Sequence, residues 1–96
     1  MSIEQQLRGE ADDVYEWSNP PGDRYPSHAH PYTKVLYCVH GSIDFSLDDR
    51  VIHLRAGDRM VLPAGTAHAA TVGPDGCTCV EGKGRTRARA DGESEW

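Results

Sequence analysis

The clearest indication of the fold is the segment GDRYPSHAHPYTK at residues 22–34, which contains two histidines one residue apart. Because side chains alternate along an extended segment, His28 and His30 leave the same face of the backbone. Neutral imidazoles are common metal ligands, so the pair is a candidate for half of a metal site. Two such histidines alone are weak evidence for a metal site, so the rest of the sequence has to be considered with them.

From Val14 onward, the chain consists of short β-branched and aromatic runs that are separated by Gly, Pro or Asp pairs. Runs at this spacing predict an all-β sandwich or barrel. Upstream, Ser2 and Gln5 form a capping-box pattern that predicts one short N-terminal helix over Ile3–Arg8. The predicted strands are 14–18, 34–40, 42–47, 50–54, 59–62, 67–72 and 77–81.

The composition excludes several classes of partner. The net charge of −5, from 15 acidic and 10 basic side chains, disfavours a nucleic acid or an anionic membrane. There is no apolar run long enough to cross a bilayer and no secretion signal at the start. The three cysteines, Cys38, Cys77 and Cys79, are an odd set that fits a reducing compartment. We therefore expect one cytoplasmic domain over residues 1–96, with a charged tail at 82–96.

A third histidine, His68, follows the tight turn PAGTA at 63–67 and lies in another alternating segment. In a small barrel, strands that are distant in sequence face one another across the interior, so His68 can lie opposite the first two histidines. Three ligands leave coordination positions open for water or substrate, which is typical of catalytic metal sites.

Two motifs make the chain resemble the cupin family. The first family motif, G-x5-H-x-H-x3-E-x6-G, corresponds over 22–41 to Gly22, His28, His30, Lys34 in the Glu position, and Gly41. The second, G-x5-P-x-G-x2-H-x3-N, corresponds over 57–72 to Gly57, Pro63, Gly65, His68, and Val72 in the Asn position. The resemblance implies a double-stranded β-helix, or jelly-roll barrel. It also implies that His28, His30 and His68 hold a divalent metal such as iron, manganese, nickel or zinc.

Lys34 stands where cupins commonly have a fourth ligand. An ammonium has no lone pair for a metal unless it loses its proton, which burial beside a dication favours. Three interpretations follow. Lys34 supports a three-histidine site or binds a substrate anion there, the site is degenerate and holds no metal, or Lys34 points to solvent. The first requires an anion nearby, because two cations repel strongly in a low-dielectric cavity.

Glu81 is a candidate for that anion. If Gly73 to Gly76 form a hairpin loop, His68 faces Glu81 across the hairpin. Glu81 is then a fourth metal ligand, a group that orients a histidine, or a partner for Lys34. A one-residue slip makes it a surface side chain at a strand end. In the same register the three cysteines point inward, where they act as small apolar residues.

Two ligand-binding functions fit these residues, beside a third interpretation as a folded remnant whose role is association alone, since a fold alone does not select one. The first is a metal-dependent enzyme of dioxygenase or isomerase type, in which Lys34 fixes a small anionic or oxygen-rich substrate. The second is a non-catalytic cupin that binds or senses a small molecule, with or without a metal. Edge strands in cupins are commonly paired, and Tyr15 and Trp17 suit a partner's sheet, so we expect a homodimer.

Overall fold

The computed structural model describes residues 2–85, which form one short helix and six strands. These are α1 (Ile3–Arg8), β1 (Ala11–Asn19), β2 (Arg24–His28), β3 (Lys34–Ser46), β4 (Val51–Arg55), β5 (Arg59–Leu62) and β6 (His68–Gly84). The helix is the predicted one, and Ser2 and Gln5 form both hydrogen bonds of its capping box. None of the helical residues in 2–85 belongs to a helix long and apolar enough to span a membrane.

The two longest strands, β3 and β6, pair with each other and take part in both layers of the barrel. In one layer, the C-terminal part of β6 pairs with β1 and the N-terminal part of β3 pairs with β5. In the other layer, the N-terminal part of β6 pairs with β2 and the C-terminal part of β3 pairs with β4. Two antiparallel four-stranded layers that share their central strands form a double-stranded β-helix. The predicted all-β jelly roll is confirmed.

Irregular pairing marks the point where β3 and β6 pass between the layers. The register shifts between Cys38 and His40 and again between Gly41 and Ile43. Gly41 has a φ of +73°, and a Cβ at this position would lie 2.0 Å from the carbonyl oxygen of Gly76. Only glycine fits there, because it alone tolerates both the left-handed backbone and the close approach.

Three strand predictions need correction. The hairpin over Gly73 to Gly76 is wrong, because the residues on both sides of it pair with β3 rather than with each other. The strands predicted at 34–40 and 42–47 are the single strand β3, which continues through Gly41 without a turn while its register with β6 shifts on either side of this residue. Strand β2 is absent from the prediction, since its sequence RYPSH has no apolar alternation.

Apolar side chains form two clusters, one inside the barrel and one beneath α1. Alternation along β3 produces both, because Leu36 and Cys38 face the interior whereas Val35 and Tyr37 face the helix. The inner cluster consists of Leu36, Cys38, Ile43, Phe45, Leu54, Met60, Leu62, Ala70, Val72, Cys77 and Cys79. The predicted inward orientation of the three cysteines is confirmed, and all three thiols are free.

The predicted charged tail begins within a strand. Gly82 to Gly84 complete β6, and Arg85 donates hydrogen bonds to the carboxylate of Asp12 and to the carbonyl oxygens of Gly9 and Ala11. Residues 86–96 lie outside the described residues, so the prediction for most of the tail is not addressed.

Candidate metal centre

The three motif histidines come together at the cavity of the barrel, where His68 is buried, His30 is half-buried and His28 is exposed. His28 ends β2 and His68 begins β6, and the two residues lie opposite each other in that strand pair. His30 lies in the connection from β2 to β3, where its carbonyl oxygen accepts a 2.8 Å hydrogen bond from the Gly65 N–H. This bond joins the first motif to the turn of the second. One ligand atom from each histidine lies within 4.8 Å of the other two.

Backbone hydrogen bonds fix the ring nitrogens of two of these histidines. Nδ1 of His28 lies 2.8 Å from the carbonyl oxygen of Pro26, and Nδ1 of His68 lies 2.9 Å from that of Thr66. A carbonyl oxygen can only accept, so Nδ1 carries the hydrogen in both rings, and Nε2 is the nitrogen that offers a lone pair when the ring is neutral. Histidines that bind metals are commonly oriented by such contacts.

His30 provides the third nitrogen. Its Nε2 atom is buried and has no hydrogen-bond partner within residues 2–85, and its ring stacks on Tyr32 at 5.2 Å between centroids. A buried polar atom without a partner is costly, so this one is suited to a bound ligand. Burial, aided by the nearby Lys34 charge, lowers the pKa of His30, and burial also lowers the pKa of His68. Neutral imidazoles with free lone pairs fit a divalent metal.

The other layer of the barrel contributes a hydrogen-bonded group that we call the Glu81 cluster, formed by Tyr15, Trp17, Lys34 and Glu81. Tyr15 Oη donates to Glu81 Oε2 and Trp17 Nε1 donates to Oε1, both at 2.7 Å. Lys34 Nζ lies 3.3 Å from Oε2, and the side chains of Lys34 and Glu81 are only 13% and 4% exposed. Burial and the Glu81 carboxylate raise the pKa of Tyr15, so its hydroxyl stays protonated and remains a donor.

These contacts locate the two residues whose positions the sequence left open. Lys34 points into the barrel rather than to solvent, and it pairs with Glu81. Glu81 also faces the interior, although the predicted hairpin register is not the reason. His68 lies opposite His28, whereas Glu81 lies opposite Tyr15. The group of ligand atoms within 4.8 Å of one another does not include Glu81.

The sequence interpretation missed the contact of Tyr15 and Trp17 with Glu81. The pairing of β1 with the C-terminal part of β6 brings both side chains to Glu81. They are separated from Glu81 by 66 and 64 positions in the chain. No local pattern signals such a contact.

The histidines and the Glu81 cluster line one cavity of about 330 Å³. Its remaining wall is aromatic and apolar and consists of Tyr25, Ile43, Phe45 and Ala70. Lys34 is the only lysine or arginine among the described residues that line the cavity. Apolar walls with a few converging polar groups are typical of sites for small molecules.

The fold and the site together define the class: a double-stranded β-helix with three histidines that converge on its cavity. The family model of the cupin domain matches residues 15–80 of the sequence. Because this match covers more than half of the 96 residues, the chain belongs to the cupin family. No curated protein matches the chain.

Solved structures show the same fold. KdgF from Halomonas sp. is 24% identical, with a TM-score of 0.63 over 75% of this chain and 68% of that one. An RmlC-like cupin from Shewanella frigidimarina is 26% identical, with a TM-score of 0.66 over 77% of this chain and 66% of that one. The DMSP lyase DddQ from Ruegeria pomeroyi is 24% identical, with a TM-score of 0.66 over 83% of this chain and 44% of that one. The chain thus spans about two thirds of the first two proteins and less than half of the third.

Proposed function

We propose that His28, His30 and His68 hold a divalent metal ion and that the cavity binds a small anionic or oxygen-rich compound. The state of the imidazoles carries this proposal: two are held as Nδ1 donors, and the buried Nε2 of the third has no partner in the described chain. Iron, manganese, nickel and zinc all accept imidazole ligands. When bound, such an ion supplies Lewis-acid chemistry, or redox chemistry if it is iron.

Inside the cavity, the ammonium of Lys34 pairs with the anionic group of the ligand. Its ammonium has three donors, and the contact with Glu81 occupies one of them. Because the charges of Lys34 and Glu81 offset each other, a dication held by three neutral imidazoles leaves the cavity positive, and this favours an anionic ligand. The aromatic wall packs against the apolar part of the ligand and excludes water from it.

An enzyme of dioxygenase or isomerase type is the first candidate. DddQ, which has the same fold, is described as a lyase, so this fold can support catalysis on a small molecule. The alternative is a non-catalytic cupin that binds or senses a small molecule, with or without a metal. One observation favours the alternative: Lys34 occupies the position of the usual fourth ligand.

Assembly and location remain part of the proposal. Within residues 2–85, β1 pairs only with β6, so its other edge is open to a second copy of the chain. This supports the expected homodimer. The three free, buried thiols fit a cytoplasmic location, and the net charge of −5 disfavours a nucleic-acid or anionic-membrane partner.

Ligand binding can be followed by the fluorescence of Trp17, which lies in the cavity wall. In a Trp96→Phe background, Trp17 is the only tryptophan. We expect small carboxylates such as acetate and benzoate to change its emission in the zinc-loaded protein. Lys34→Met should weaken their binding about tenfold or more, because a hydrogen bond to a charged group is lost. Arg55→Met removes an exposed cation outside the cavity and is the matched control.

The outcomes separate the two candidates. Carboxylate binding that requires zinc supports the metal-dependent site, whereas equal binding with and without zinc favours the metal-free alternative. Equal affinities in the wild type and Lys34→Met would contradict the proposed role of Lys34.

A further inference from the structure

We infer that Glu81, whose carboxylate accepts hydrogen bonds from Trp17 and Tyr15, supports metal binding indirectly by neutralising Lys34. The inference rests on the proposed metal site. It assigns the acidic residue of the cavity a role in charge balance instead of coordination.

The oxygens of Glu81 are already engaged. Oε1 accepts the indole N–H of Trp17, and Oε2 accepts the hydroxyl of Tyr15 and contacts the ammonium of Lys34. If the carboxylate turned towards a metal, it would leave the largely buried ammonium of Lys34 and the half-buried indole N–H of Trp17 without this acceptor, which is costly. The absence of Glu81 from the group of close ligand atoms agrees with this reading.

Lys34 requires a counter-charge if a dication is to bind beside it. Its side chain is only 13% exposed and lines the same cavity as the three imidazoles. Like charges repel strongly where little water screens them, so an unpaired Lys34 would oppose the metal. Glu81 is the only acidic residue among the described residues that line this cavity. The carboxylate of Glu81 is therefore the negative charge in the cavity wall that offsets the ammonium of Lys34.

A double-mutant cycle on zinc affinity tests the inference. Dissociation constants are measured by competition with a chelator for the wild type, Glu81→Gln, Lys34→Met and the double variant. We expect Glu81→Gln to weaken zinc binding about tenfold or more, because it leaves the Lys34 charge unbalanced. The double variant should return to within about threefold of the wild type, because it removes the Lys34 charge that Glu81→Gln leaves unbalanced. Glu16→Gln, which changes an exposed carboxylate of β1, is the control.

Two results would overturn the inference while leaving the metal site intact. If Glu81 were itself a ligand, the double variant would still bind zinc well below the wild-type affinity, because removing the Lys34 charge does not replace a lost ligand. If Glu81 had no influence, Glu81→Gln would bind like the wild type. Failure of the proposed function looks different, since the wild type itself would then bind no zinc.

Urea unfolding of the same four proteins without metal gives a second measurement. Glu81→Gln should lose more stability in the wild-type background than in the Lys34→Met background, because removing one partner leaves a buried charge unpaired. Strictly additive changes in the free energy of unfolding would show that Lys34 and Glu81 are not paired, and would refute the inference.

Discussion

The three cysteine side chains lie in the wall of the barrel's inner cluster. Cys38, Cys77 and Cys79 are buried, and burial raises the pKa of each thiol. Because the thiolate is the reactive form, these residues are poor nucleophiles and poor metal ligands at neutral pH. They pack as small apolar side chains, as their alternation in the sequence indicates.

We therefore expect the thiols of the native protein to react with an aromatic disulfide reagent only as fast as the protein unfolds. In denaturing urea all three should react at once. A Ser46→Cys variant, with its new thiol at an exposed position of β3, should show one additional fast reaction in the native state. Rapid labelling of any original cysteine without urea would show that the inner cluster opens to solvent.

Among the elements, α1 depends on packing for its stability. Six residues are too few for a helix that is stable in isolation, even with its capping box. Leu7 is fully buried and packs with Ala11, Val35, Tyr37 and Val80 on the outer side of the sheet. The helix therefore covers an apolar surface that the alternation of β3 creates.

The packing of α1 against the sheet predicts the order in which substitutions lower the free energy of unfolding. Leu7→Ala should lower it by about 2–4 kcal/mol, since it leaves a cavity beneath the helix. Ser2→Ala should cost about 1 kcal/mol through loss of the cap. The exposed Gln6→Ala should stay within about 0.5 kcal/mol of the wild type. Urea unfolding followed by circular dichroism measures all three, and equal losses for Leu7→Ala and Ser2→Ala would show that α1 is not docked.

Local signals explain which elements could be predicted. The capping box determines the start of α1, and short apolar runs bounded by turns predicted β4 and β5 to within a residue. The 17-residue strand β6 could not be predicted, because Gly73 to Gly76 have the composition of a turn. Pairing of both flanks with β3 overrides that preference, and such pairing is not encoded within the segment itself.

For the molecule as a whole, the resemblance of the two motifs to those of cupins predicted the meeting of the three histidines, which the structure places on the paired strands β2 and β6 and in the connection after β2. The sequence left the pairing of Glu81 with Lys34 as one of three alternatives, and it could not predict the contacts of Tyr15 and Trp17 with Glu81, because they depend on β1 lying against the C-terminal part of β6. The half of the cavity that the three histidines line can therefore be predicted from short motifs. The other half follows only from the tertiary pairing of the chain.

The most direct test of the three-histidine centre is the zinc stoichiometry of the metal-free chain, measured by titration for the wild type, His30→Ala and His68→Ala. We predict that each wild-type chain binds one zinc ion and that both variants bind zinc at least about a hundredfold more weakly. Such a loss exceeds the usual effect of removing a residue that only forms a hydrogen bond to a metal ligand. His53→Ala removes an exposed histidine that contacts Asp44 outside the cavity, and it should bind like the wild type. No stoichiometric zinc in the wild type, or unchanged affinity in His30→Ala, would contradict a metal centre formed by these histidines.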